Sequence, residues 1–73
     1  MTEAEQAIKT RNLQDQFDWP IWAVWFGNEY HLYSTQYHAK QMVRALQMNG
    51  TPVSAFNGRG EPIAVAGLPG FIV

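Results

Sequence analysis

Few residues in this chain have the makings of a chemical site, and their spacing is poor. His31 and His38 sit on different predicted elements, and Glu29 is the one other potential ligand on the strand face of His31. A transition-metal centre takes three or four ligands, usually announced by a local His/Cys pattern. None accompanies these residues, so the histidines read as surface side chains, and neither a metal nor any other cofactor is expected. Nucleophilic catalysis needs a nucleophile, a base and a group that orients the base. Ser34, Thr35, His38 and Asp18 supply the types without a recognisable spacing, and Ser34 or Thr35 has a simpler use as a helix cap. Gly58-Arg59-Gly60 is too short for a phosphate-binding loop and lacks the helix that must follow one, so it reads as a turn. Such an inventory points to a binding protein and away from an enzyme.

The aromatic residues carry more information. Trp, Tyr and Phe make up 14% of the 73 residues, and most of them fall between Phe17 and Tyr37, which makes that stretch the place to look for a surface. The formal net charge is −1, without the clustered basic excess of a nucleic-acid binder, so stacking of bases on Trp22, Phe26 or Tyr33 is disfavoured. Cysteine is absent, which removes disulfides and thiolate metal sites and suits a reducing compartment. No apolar run approaches the roughly 18 residues that span a bilayer. The polar, acidic first segment does not read as a signal peptide. The expectation is a soluble, cytoplasmic monomer without direct contact to nucleic acid or membrane.

The elements that would position a site follow from periodicity. Residues 1–18 read as an arm. Thr2 and Glu5 form a capping box, yet Ala4, Ala7 and Ile8 are too little apolar content for a stable isolated helix, so the arm is expected to be flexible or weakly helical. Residues 19–73 read as one small domain. Pro20 starts a strand, Ile21 to Phe26 has strand composition, and Gly27-Asn28 is a two-residue hairpin loop leading to Glu29 to Tyr33. That loop length sets Phe26 opposite Glu29 and Trp22 opposite Tyr33. Ala39, Met42, Val43 and Leu46 form one apolar stripe on a helix that ends at Asn49-Gly50. A strand from Pro52 to Asn57, the Gly58–Gly60 turn and an edge strand from Pro62 to Ala66 complete a second hairpin. The fold class is α+β: β-hairpin, one amphipathic helix, second β-hairpin and a loose N-terminal arm.

Side chains alternate across a strand. Ile21, Ala23, Trp25, Tyr30 and Leu32 therefore share an apolar face, expected to lie under the helix. Trp22, Phe26, His31 and Tyr33 share the other, which is left for a partner or for the arm to cover through Phe17 and Trp19. A large exposed aromatic patch in a small protein marks an interaction surface, and Trp, Tyr and Arg dominate binding hot spots. The candidate partner-binding residues are Trp22, Phe26, His31 and Tyr33, with Tyr37 and Arg44 on the helix and Arg59 at the turn.

With its polar arm (Met1 to Asp18) and aromatic first hairpin (Trp19 to Tyr33), the whole chain resembles the small early transcription regulators of lytic bacteriophages, which bind the host's RNA polymerase. The resemblance rests on size and character and carries no residue-by-residue motif. It implies inhibition of initiation by interference with sigma-factor engagement, and antitermination on elongating polymerase. It also implies partners on the β′ N-terminal region and the β flap, action in the host bacterial cytoplasm, and no cofactor. Another stoichiometric inhibitor, antidefence or antitoxin-like, would use the same aromatic surface.

Overall fold

The computed structural model describes residues 2–63. In chain order the elements are α1 (Glu3–Gln14), β1 (Trp22–Phe26), β2 (Glu29–Tyr33), α2 (Gln36–Met48) and β3 (Ser54–Asn57). The three strands form one antiparallel sheet in the order β2-β1-β3, so the class is α+β, with a helix between strands. The register of the first hairpin is the one its two-residue loop dictates: Phe26 pairs with Glu29, Val24 with His31 and Trp22 with Tyr33. Gly27 supplies the positive φ of that loop, +67°. In the second hairpin, β3 turns at Gly58–Gly60 and returns as a bridge between Phe56 and Pro62. The strand expected from Pro62 onward and the apolar end at Phe71 to Val73 lie mostly outside the described residues.

Helix α2 starts and stops where its sequence says. The Thr35 hydroxyl accepts from the His38 N–H as N-cap, and Gly50 ends the helix at φ +76°. Its Ala39 and Val43 are buried against Val24 and Ala55, with Met42, Leu46, Trp22, Tyr33 and Val53 packed around them. Helix α2 therefore covers the Trp22/Val24/Tyr33 face, not the Trp25 face on which one helix was expected.

The Trp25 face is covered by α1. The arm is a twelve-residue helix, begun by the reciprocal Thr2–Glu5 capping box and seated on the sheet over β1 and β3. A loose arm is expected because α1 lacks an apolar stripe. It attaches instead through Gln6, Thr10 and Gln14, which recur every fourth residue and so share one helix face. The Gln6 amide donates to the Gly27 carbonyl at the hairpin tip (3.0 Å). The Trp25 indole N–H donates to the Thr10 hydroxyl (2.8 Å), which itself donates to the Gln6 carbonyl (2.8 Å). The Gln14 amide donates to the Trp19 carbonyl and accepts from the Ile21 N–H (2.8 and 2.9 Å). Gln6 and Thr10 are buried, and each makes at least one of these hydrogen bonds. Trp25, 1% exposed, packs with Ala23, Phe56, Ala7 and Leu32 in this second core.

Two glycines let α1 come this close. A Cβ at Gly60 would meet the Ala7 carbonyl oxygen at 2.8 Å, and Gly60 has φ +79° besides. A Cβ at Gly58 would run into the Gln14 amide oxygen. The sheet is thus sandwiched between two helices, held on one side by apolar packing and on the other largely by hydrogen bonds around Trp25.

Candidate partner-binding surface

An open hollow of about 690 Å³ lies at the end of the sheet where β1 begins. Phe17, Trp19 and Trp22 form its aromatic walls, with Gln36, Asp18 and Arg59 among its polar groups. Three separate stretches of chain build it: the end of α1 through its connection to the start of β1, the start of α2, and the end of β3 with the turn and return that follow it.

Each wall is fixed locally. The Gln14 amide bridges Trp19 and Ile21 and so holds the connection against the end of α1. Phe17 N–H donates to the Gln14 carbonyl (3.1 Å), and the Phe17 ring meets Trp19 edge-on at 4.9 Å. Trp19 keeps 40% of its surface exposed, large for a tryptophan with no stem to solvate. Across the hollow, the Asn57 side-chain oxygen accepts from the N–H groups of Arg59 and Glu61 (2.9 and 3.0 Å), and its amide donates to the Glu61 carboxylate (3.1 Å). This closed turn presents Arg59 from a fixed backbone.

The seven residues singled out from sequence do not form one patch. Trp22 and Arg59 line the hollow. Tyr33 faces Trp22 across the ladder and packs against the α2 core, where desolvation by burial raises its phenol above the ordinary 10.0. Phe26 and His31 stack on each other at 5.3 Å, near the hairpin tip. Tyr37, 64% exposed, leans on His38 at 5.5 Å near the start of α2, and Arg44 is exposed further along that helix. Phe17, Trp19 and Gln36 also line the hollow and are not among those seven. A signal existed for the first two: a pair of aromatic residues just before Pro20, in a segment otherwise too polar to supply a core.

The hollow is open to solvent. Its walls offer flat apolar surface, side-chain amides, one guanidinium and one carboxylate, a mixture suited to a protruding polypeptide segment. Among the described residues no three His, Asp or Glu side chains converge as a metal site would require, and no helix is long and apolar enough to cross a membrane. Comparison with protein-family models, curated proteins and solved structures finds no match to this chain.

Proposed function

We propose that this chain is a stoichiometric protein-binding regulator that acts on host bacterial RNA polymerase in the cytoplasm of a phage-infected cell, and that it hinders sigma-factor engagement. The observation that carries the binding part is the aromatic hollow: Trp19 and Trp22 beside Arg59, held by hydrogen-bonded loops and open to solvent. These are the residue types that concentrate binding energy when a partner desolvates them. The choice of polymerase rests on the resemblance in size and character to small phage regulators. The β′ N-terminal region and the β flap are the surfaces that resemblance suggests, and terminator readthrough is a second activity to measure.

The test is retention of purified bacterial polymerase, core and holoenzyme, on the immobilised chain, followed by promoter-dependent transcription in vitro. Retention and loss of initiation are expected, with Trp19→Ala and Arg59→Ala each weakening binding at least about tenfold, or roughly 1.4 kcal/mol. Neither residue is needed for a buried core, so both variants should fold. Failure to retain polymerase sinks the polymerase reading. Unchanged binding by both variants moves the surface elsewhere on the molecule.

A further inference from the structure

The two edges of the sheet are finished differently. Beyond β3, the Ile63 N–H donates to the Ala55 carbonyl and the Asn57 N–H to the Glu61 carbonyl, both at 2.9 Å, with Pro62 between. That edge is closed. The same bonds fix the phase of the whole sheet, because successive residues of a strand turn their backbone groups to opposite sides. Ala55 and Asn57 point away from β1, so Ser54 and Phe56 bond to their register partners Trp25 and Ala23. Trp22, Val24 and Phe26 then bond to Tyr33, His31 and Glu29. Tyr30 and Leu32 are left with their N–H and C=O groups directed outward, and among the described residues no backbone bond outside the ladder meets them.

Strand β2 also lacks the usual guards of a free edge. It contains no proline and no lysine, its pairing is unbroken by a bulge, and its one charged residue, Glu29, sits at the end. On the α1 face, α1 lies over β1 and β3 and does not reach over β2. Tyr30 is consequently 40% exposed, and a shallow hollow of about 270 Å³ opens between it and Lys9, Leu13 and Gln16 of the α1 side.

We propose that this edge is a dimer interface: β2 of a second copy pairs with it antiparallel, about a two-fold axis through His31. The strand is its own complement in that register. Tyr30 bonds with Leu32 of the second copy, and Leu32 with Tyr30, so every outward backbone group on both chains is satisfied. Leu32 of the second copy stands opposite Tyr30 on the α1 face and fills the hollow beside it. Helix α1 leaves room on its face, whereas α2 reaches β2 on the other and lies closer to the axis. With strands about 4.8 Å apart, the two α1 axes stand about 19 Å apart, and helices about 11 Å across leave roughly 8 Å between them. Two Tyr30 and two Leu32 side chains occupy that gap. Five residues give only about 17 Å of edge, so the buried area lies near the roughly 1,000 Å² minimum of a specific interface. A dimer that dissociates on dilution is the result. A monomer is the expectation from sequence alone, which does not show which strand is left at an edge.

The proposal does not depend on the polymerase reading, because it is measured on the purified full chain alone. Sedimentation equilibrium from about 10 µM to about 1 mM should show the mass rising from one copy toward two. Tyr30→Lys, which places a charge on the edge, should hold the mass at one copy. Amide hydrogen exchange at Tyr30 and Leu32 in the unaltered chain should slow by about tenfold across the same range. A single-copy mass at every concentration overturns the proposal, including the case in which another chain is the true occupant of the edge. Equal exchange of those two amides at both ends of the range overturns it as well.

Discussion

Replacing Thr10 by valine asks whether the polar seat of α1 holds the fold together. Valine keeps the shape and the β-branch, and its helix propensity is close to that of threonine. What disappears is the oxygen that accepts the Trp25 indole N–H at 2.8 Å, in a place where Thr10 is 0% and Trp25 1% exposed. A buried donor left without a partner costs about 1–3 kcal/mol. The Gln6 carbonyl loses the hydroxyl but keeps its helical partner, so it adds little. For a domain of this size each kcal/mol moves the melting midpoint by about 4–8 °C, so a cost of about 2 kcal/mol lowers it by about 8–16 °C. Thr10→Ser retains the hydroxyl and gives up one methyl, about 0.8 kcal/mol. In a Trp25→Phe background, where no indole N–H remains to be stranded, Thr10→Val should cost far less, and the double-mutant cycle isolates the bond. Thermal melts followed by circular dichroism measure the parent and all four variants. A Thr10→Val midpoint within about 2 °C of the parent, or the same loss in both backgrounds, refutes the packed α1.

Gly60→Ala and Gly27→Ala should separate backbone strain from close contact. Both have positive φ, which costs an alanine about 1–2 kcal/mol, but only at Gly60 would the Cβ meet a neighbour, the Ala7 carbonyl. Urea unfolding should therefore find Gly60→Ala the more damaging, and equal losses would mean that α1 does not press on that turn. The Glu5 carboxyl is held below its ordinary 4.5, first by the Thr2 backbone N–H and then by the Thr2 hydroxyl. A lowered folded pKa means that its stabilisation is present above 4.5 and lost as pH falls through the lowered value. Acid titration of helical circular dichroism should show fraying of α1 in that window, and Glu5→Gln, which cannot titrate, should remove that component.

The fold was legible wherever apolar pattern or loop length decides it. A two-residue loop left one register for the first hairpin, and the Ala39, Met42, Val43 and Leu46 stripe marked α2 and its inner side. Assigning the layers needed information that such patterns do not hold. Both faces of β1 are apolar enough to be buried, and the residues that seat α1 on one of them are Gln6, Thr10 and Gln14, which any hydrophobicity reading counts as solvent-facing. That is why the arm was expected to be loose and α2 was expected on the Trp25 side. The hollow was half visible. Trp22 and Arg59 were singled out individually, but the segments that meet there are far apart in sequence, and only the tertiary placement of α1 and of the β3 turn brings Phe17, Trp19 and Gln36 to the same rim.

The glutamine and threonine seat also determines what may change. Gln6 and Gln14 bond to main-chain groups of Gly27, Trp19 and Ile21, which every amino acid at those positions except a proline donor would still offer. Helix α1 therefore reads the course of the backbone more than the identity of the side chains beneath it, with Trp25 the one side chain it names. A slip of α1 by one residue would break all of these bonds together, whereas an apolar seat could slide and repack. The aromatic residues around the hollow can thus vary with whatever they contact while the helix beside them stays in register.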